Sequence, residues 1–367
     1  MNLDMKNLKR ILAATLWALP LLTGSEPVSY QDLGAKPCAH FTPVASGTVC
    51  ASGDYSSFTI RRLTDIGARP VWSPDGKRLA FVDHEWGNAF ELDVATGATK
   101  CLTCNFDHRP GFLRVHYLPD GSYLLIGPRR PGKSIVTRGM KGELWWMDAE
   151  ASVAPAPLGI KLYEGVAVSR LDNRIAWAED FLQNPLALPD RMMTAVIQVE
   201  GKQARVVDRK VILRKFGMIE AQDFRDQDQE LIFSRYLPQA EAMGVILDHC
   251  RVTNYSRNPG YEEPEGIFPD GKFTLIESNR HGGGDHNQID IYMLRLDGTG
   301  KDLRRLTHFN DTPGEKASNP VVHPSGCSIA FMKGINLPDV NKPTGEGAGI
   351  FLLEFGTCSD ANPKEKP

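Results

Sequence analysis

The chain has 367 residues, 41% of them apolar and 24% charged, with a formal net charge of −3. That length accommodates one large or two ordinary domains, and the composition is sufficient to bury a full core. The near-balance of charge argues against a nucleic-acid partner, which would call for a basic stripe or patch.

Lys6, Lys9 and Arg10 precede a fourteen-residue apolar run, Ile11–Gly24. The run is short for a membrane span and is interrupted by Pro20, but it has the layout of a secretory signal peptide. Cleavage near Gly24 or Ser25 leaves no stable membrane span, an uncleaved anchor being the alternative. All seven cysteines (Cys38, Cys50, Cys101, Cys104, Cys250, Cys327 and Cys358) follow this leader. They therefore belong to a compartment where disulfides persist, and their odd number leaves at least one thiol free or paired between chains. "CLTC" at Cys101–Cys104 has the spacing of a redox or zinc half-motif. It lies in a strand-like stretch with no second CxxC, so a structural role is the expectation.

Downstream, one hairpin recurs. "PVWSPDGKRLAF" at Pro70 is followed by "VHYLPDGSYLLI" at Val115, "VAVSRLDNRIAW" at Val166 and "QDFRDQDQELIF" at Gln222. "EGIFPDGKFTLI" at Glu265 and "PVVHPSGCSIAF" at Pro320 complete the set. Aligned on Trp72, the column reads Tyr117, Val168, Phe224, Ile267 and Val322, at intervals of 45, 51, 56, 43 and 55 residues. Each unit adds two further alternating strands, as in "AFELDVATG" and "ATKCLT". This is the period of four-stranded propeller blades, and helical periodicity is nearly absent. The sixth unit ends after "GIFLLEF" and lacks its outermost strand. "SFTIRRLT" (Ser57–Thr64) can supply it and so remove an open sheet edge.

The predicted fold is thus all-β: a six-bladed propeller of four-stranded antiparallel blades, closed by an N-terminal strand. A seventh blade built around Val44–Ala51 is the alternative. The organisation is signal peptide 1–25, irregular segment 26–56, propeller 57–356 and tail 357–367. Antiparallel pairing brings Cys327 and Cys358 together at one end of the last blade, which predicts a disulfide clasp. Cys38 and Cys50 bracket the entry segment and form the candidate second pair.

The run "RLT…PVWSPDGKRLAF…FELDVATG…CLT" resembles the WD-like repeat of TolB, the periplasmic protein of the Tol system, and its relatives. The resemblance is clearest in units one and five and faintest in three and four. It implies a periplasmic or secreted propeller that engages a protein or a small polar or saccharide ligand. About thirty residues separate the leader from the first strand, too few for the α/β domain that precedes the propeller in TolB itself.

In a propeller the innermost strands line the axis, and the repeat alignment gathers the residues around it. Glu164, Glu220 and Glu263 share one column, and Arg69 and Arg114 share the next. Asp223, Glu265 and Asn319 lie close by in the same stretches, and Arg280 sits in "ESNRHGGGDHNQ", whose three glycines permit close backbone approach. These residues predict a channel mouth polarised between arginines and carboxylates, where a guanidinium fork would grip a ligand carboxylate. Solvated loop charges paired with one another are the alternative. "GPRRPGKS" (Gly127–Ser134) matches a phosphate-loop pattern, but a strand-like segment follows it where a helix is needed, so no nucleotide is expected. GxSxG and HExxH are both missing.

The alternative function is a metal-dependent lyase or hydrolase acting on an acidic saccharide. Oligogalacturonate lyases are similar propellers, and that likeness implies a divalent metal, Mn²⁺ or Ca²⁺, held by histidines and a glutamine. Here it points to His116 and Gln222 on inner strands and to His281 and His286 on a loop.

Overall fold

The computed structural model describes residues 55–107, 111–130, 141–180, 189–236, 239–248, 250–283, 287–335 and 348–356. The leader, most of the entry segment and the C-terminal tail, with Cys38, Cys50, Cys358 and His286, lie outside the described residues.

A first strand, β1 (Phe58–Arg62), precedes blade 1, which comprises β2 (Ala68–Trp72), β3 (Arg78–Val82), β4 (Ala89–Asp93) and β5 (Thr99–Cys101). Blade 2 is β6 (Arg114–Tyr117), β7 (Tyr123–Pro128), β8 (Gly142–Met147) and β9 (Ala156–Lys161). Blade 3 is β10 (Val166–Val168), β11 (Arg174–Glu179), β12 (Asp190–Glu200) and β13 (Gln203–Lys215). Blade 4 is β14 (Met218–Arg225), β15 (Glu230–Tyr236), β16 (Ala240–Ile246) and β17 (Val252–Asn254). Blade 5 is β18 (Glu262–Ile267), β19 (Phe273–Ser278), β20 (Asp290–Arg295) and β21 (Leu303–Arg305). Blade 6 is β22 (Glu315–Val322), β23 (Ser328–Ile335) and β24 (Ile350–Phe355), with β1 as its outer strand.

The six sheets are antiparallel and four-stranded, as the repeat period requires. β1 closes the ring on β24, with Phe58 opposite Phe355 and Arg62 opposite Phe351. The aligned column falls at or next to the end of every inner strand. Trp72, Val168, Phe224, Ile267 and Val322 each pair with the residue seven positions later, and Tyr117 with Tyr123 across a corner one residue shorter.

The corner itself explains the Ser-Pro-Asp-Gly signature. Ser73 Oγ donates to Asp75 Oδ1 at 2.6 Å, and the Gly76 amide donates to the Ser73 carbonyl at 2.9 Å. Gly76 has φ +70°, and a Cβ there would lie 2.2 Å from His323 Nε2 of blade 6. Blade 4 has no glycine at this turn; Asp226, Gln227 and Asp228 take φ values of 52°, 55° and 61° instead. The seven-residue spacing across the corner is kept, but three left-handed residues stand where blade 1 has one, so this copy of the repeat is faint in sequence.

Cohesion comes from apolar clusters between neighbouring blades. Trp146 of blade 2 and Trp177 of blade 3 are fully buried in one, and Phe268 of blade 5 and Phe331 of blade 6 in another. Because the middle strands are covered on both faces, they read as near-continuous apolar runs such as β7 and β8. Complete burial of each such side chain contributes about 1.5–3 kcal/mol.

Two features differ from the expectations. β12 and β13 form a hairpin of 11 and 13 residues, longer than the repeat suggests. Cys327 is a free thiol among the described residues, and Cys358, its expected clasp partner, lies outside them. The strand ends do converge, since the Phe355 amide donates to the Cys327 carbonyl at 3.0 Å. The "CLTC" pair is itself a disulfide, Cys101–Cys104, and Cys250 is also disulfide-bonded. No helix among the described residues is long and apolar enough to cross a membrane.

Candidate functional site

The charged residues gathered by the alignment do meet on the axis, but inside the ring and not on its entry loops. Arg69 lies on β2, Arg114 on β6, Glu220 and Asp223 on β14, Glu263 and Glu265 on β18, and Asn319 on β22, with Glu164 just ahead of β10. All eight are more than nine-tenths buried. Two of them are aimed by bulges. β2 slips register between Ala68 and Val71, where Arg69 has φ 55°, and β22 slips between Ser318 and Val321, where Asn319 has φ 49°. A bulge re-aims one side chain without ending the strand, and the left-handed turn at a non-glycine residue is a local strain held by the surrounding sheet.

Nearest the strand entries is a layer of carboxyls. Arg69 Nη1 lies 3.0 Å from Glu164 Oε2. Tyr236 donates to Glu220 Oε2 at 2.9 Å and also contacts Glu263, which Tyr261 approaches from the other side. The Asn319 amide donates to Glu277 Oε1 at 2.6 Å, and Asn319 Nδ2 to Glu265 Oε1 at 3.3 Å. Burial pushes the Glu220 carboxyl up to about 8, with Glu164 and Glu263 adding to the shift and Arg114 opposing it. Burial and Glu263 push Glu277 up to about 7. Glu265 is raised by burial despite the counter-pull of Arg114, and Asp223 is raised by burial despite Arg170 at 2.6 Å.

Below this layer lies an axial cavity of about 260 Å³. Arg69, Arg114, His116, Gln222, Asp223, Glu265 and Asn319 line its deep end. It extends to Pro74, Pro119 and Pro324, in the turns that follow the inner strands. The described cavity therefore runs toward the rim opposite the expected mouth. Several entry-side loops (131–140, 181–188, 284–286 and 336–347) lie outside the described residues.

His116 keeps some ring surface toward the cavity, yet protein encloses it. Desolvation, with Arg114 and Arg69 nearby, holds its imidazole down to about 3, so the ring is neutral. His116 Nε2 and Arg114 Nε are both buried and without a hydrogen-bond partner, as is Glu220 Oε1. Arg114 and His116 stand two residues apart on β6 and so project from one face.

Two expected residues are placed elsewhere. Arg280 is clamped within blade 5 by Glu262 and by the carbonyls of Ser256 and Gly300, at 3.0 and 3.2 Å, and does not line the cavity. His281 Nδ1 lies 3.1 Å from Tyr292 Oη, and its Nε2 3.0 Å from Asn310 Oδ1, so it does not join His116 and Gln222. Gln222 Nε2 instead donates to Ser234 Oγ at 2.9 Å. Among the described residues no group of three or more His, Cys, Asp or Glu side chains is arranged to hold a metal. The two guanidinium groups that keep His116 neutral would also repel a dication placed beside it. Of the four implied ligands, His116 and Gln222 line the cavity, His281 is held apart from them, and His286 lies outside the described residues.

Sequence reasoning missed Glu277, Tyr236, Tyr261 and Lys316. Glu277 had a usable signal: it pairs with Glu263 across the β18–β19 hairpin. Lys316 lies on inner strand β22 and Tyr236 pairs with Met218 in the hairpin that carries Glu220, so these too had a partial signal.

No family model matches the chain. A stretch of 57 residues is 42% identical to the Tol-Pal system protein TolB of Xanthomonas oryzae pv. oryzae, covering 15% of this chain and 13% of that protein. The match thus spans a small fraction of the curated relative's length. A gluconolactonase of Xanthomonas campestris superposes with a TM-score of 0.52 at 11% identity, over 87% of this chain and 98% of its own. At that identity the likeness is one of fold alone. An oligogalacturonate lyase in complex with manganese aligns at a TM-score of 0.45 and 13% identity, over 84% and 98% of the two chains, too distant to carry an argument. The chain is a six-bladed β-propeller with a short, partial likeness to TolB.

Proposed function

We propose that this chain is an exported, periplasmic binding propeller that holds a small anionic ligand, of acidic-monosaccharide size, in its axial cavity. One observation carries the reading: Arg114 Nε and His116 Nε2 are buried in the cavity wall without a protein partner. A buried donor left unpaired costs roughly 1–3 kcal/mol, and a ligand carboxylate seated in the cavity against the Arg114 guanidinium would supply an acceptor there, His116 adding a second donor in its Nε2–H tautomer. A cavity of 260 Å³ has the volume of about eight or nine waters at ~30 Å³ each, which suits a single sugar acid and not a chain. The leader and the TolB-like stretch support the periplasmic placement.

Titration calorimetry with galacturonate and galactose tests this. Galacturonate should bind at least about tenfold more tightly than the neutral sugar. Arg114→Gln should weaken it about 10- to 100-fold, the worth of a charge-assisted hydrogen bond. Equal binding of the two sugars, or an unchanged affinity in Arg114→Gln, would overturn the reading.

A further inference from the structure

The Cys101–Cys104 disulfide takes no part in the axial site and closes a corner that forms elsewhere without it. Where the chain leaves β5, the Leu102 amide donates to the Ala89 carbonyl at 2.8 Å, and the Ala89 amide to Thr103 Oγ1 at 3.0 Å. The same two bonds recur where β1, β17 and β21 end. Leu63 and Thr64 make them with Ile350 at 2.8 and 3.0 Å. Tyr255 and Ser256 make them with Ala242 at 2.8 and 3.1 Å, and Leu306 and Thr307 with Ile291 at 2.8 and 2.9 Å. The residues flanking those corners are Arg62 and Asp65, Asn254 and Arg257, and Arg305 and His308, so no disulfide closes them. Hydrogen bonds and the burial of Leu102 and Thr103 therefore hold the corner of blade 1, with no need of sulfur.

The two sulfur-bearing residues are unequal. Cys104 is exposed, whereas Cys101 is half-buried and paired with Phe90 of β4. The Cys104 amide donates to Cys101 Sγ at 3.1 Å. In blade 4 the equivalent amide, that of Arg257, donates to Asn254 Oδ1 at 2.9 Å. Cys101 Sγ thus occupies an acceptor position of the corner. A thiolate there keeps this bond and strengthens it, because a donor aimed at a charged acceptor is worth more than one aimed at a neutral acceptor.

We propose that Cys101–Cys104 is an exchange site for solvent thiols, with Cys104 the attacked sulfur and Cys101 the leaving group. A substrate thiolate attacks Cys104 Sγ; a new S–S bond forms there, the Cys101–Cys104 bond breaks, and Cys101 departs as a thiolate. A second substrate thiolate attacks the substrate sulfur of this mixed disulfide and releases Cys104, also as a thiolate. Two substrate thiols become one disulfide, and the protein takes up their two electrons as a dithiol, protons being exchanged with water. Because other bonds hold the corner, the dithiol stays in place and the exchange runs in both directions.

The test treats the intact mature protein with excess reduced glutathione under native conditions, then quenches with acid, alkylates and maps the cysteines by tandem mass spectrometry. Cys101–Cys104 should open with no loss of the circular-dichroism signal and close again when glutathione disulfide is added. The trapped intermediate should carry glutathione on Cys104 at least about tenfold more often than on Cys101, since access selects the sulfur attacked. Cys101→Ser, which lacks the returning thiolate, should accumulate the Cys104 adduct from glutathione disulfide. A bond that resists glutathione until denaturant is added, or that opens only as the dichroism signal is lost, would overturn the proposal. So would equal labelling of the two cysteines in the parent protein, or no Cys104 adduct in the variant.

Discussion

Arg69 of blade 1 and Glu164, at the start of blade 3, form an ion pair within the ring, Nη1 to Oε2 at 3.0 Å, with 3% and 11% of their side chains exposed. The pair bypasses blade 2 and links inner strands that share no sheet. Its geometry depends on the bulge that turns Arg69 inward, so a local backbone irregularity and a long-range contact support each other.

Removing one partner takes a counter-charge away from a buried residue, whereas removing both takes charge and counter-charge away together. Arg69→Met should lower stability by about 3–5 kcal/mol. Arg69→Met combined with Glu164→Met should recover most of that loss. Urea unfolding of the two single variants and the double variant checks this; additive losses would show that the pair is not coupled.

The raised carboxyls also give a pH dependence of folding. In the unfolded chain a glutamate titrates near its ordinary value, about 4.3; in the fold Glu277 and Glu220 hold their protons up to about 7 and about 8. Between those values the unfolded state binds fewer protons, so stability falls as pH rises from about 5 to about 8. Glu220→Gln should flatten this slope relative to the parent protein. The lowered carboxyls Asp75 and Asp148 contribute on the acid side and act below this window. Unfolding free energies of parent and variant at the two ends of the range decide it; an unchanged slope in the variant would refute it.

The cysteines make a separate prediction. Digestion without reduction should give a Cys101–Cys104 crosslink and an alkylated Cys327. Because the Cys101–Cys104 loop is short, replacing both cysteines with serine should cost only about 2 kcal/mol on the chain-entropy scale. A peptide joining Cys327 to Cys358 would contradict the free thiol.

The fold was legible because each blade writes its own signature. Ser73, Asp75 and Gly76 make a corner by local hydrogen bonds, so the copies at Pro70 and Glu265 stand out in the sequence. The copy at Gln222 makes the equivalent turn from non-glycine residues and shows itself only by its spacing. Pairing of β1 with β24 could be inferred because a missing outer strand and a spare one were both visible. The site was legible in part. Column equivalence located Arg69, Arg114, Glu164, Glu220 and Glu263, since residues at one level of the inner strands share one level of the axis.

Turn chemistry, strand alternation and blade period are local properties, and local interactions write them directly into the order of residues. Depth, the rim toward which a cavity runs, and the company a buried charge keeps are different in kind. They depend on distances between blades far apart in the chain, and only the closed ring sets those. It put the arginines and glutamates inside the channel, tied Arg280 to Glu262 and His281 to Tyr292, and left Cys327 unpaired.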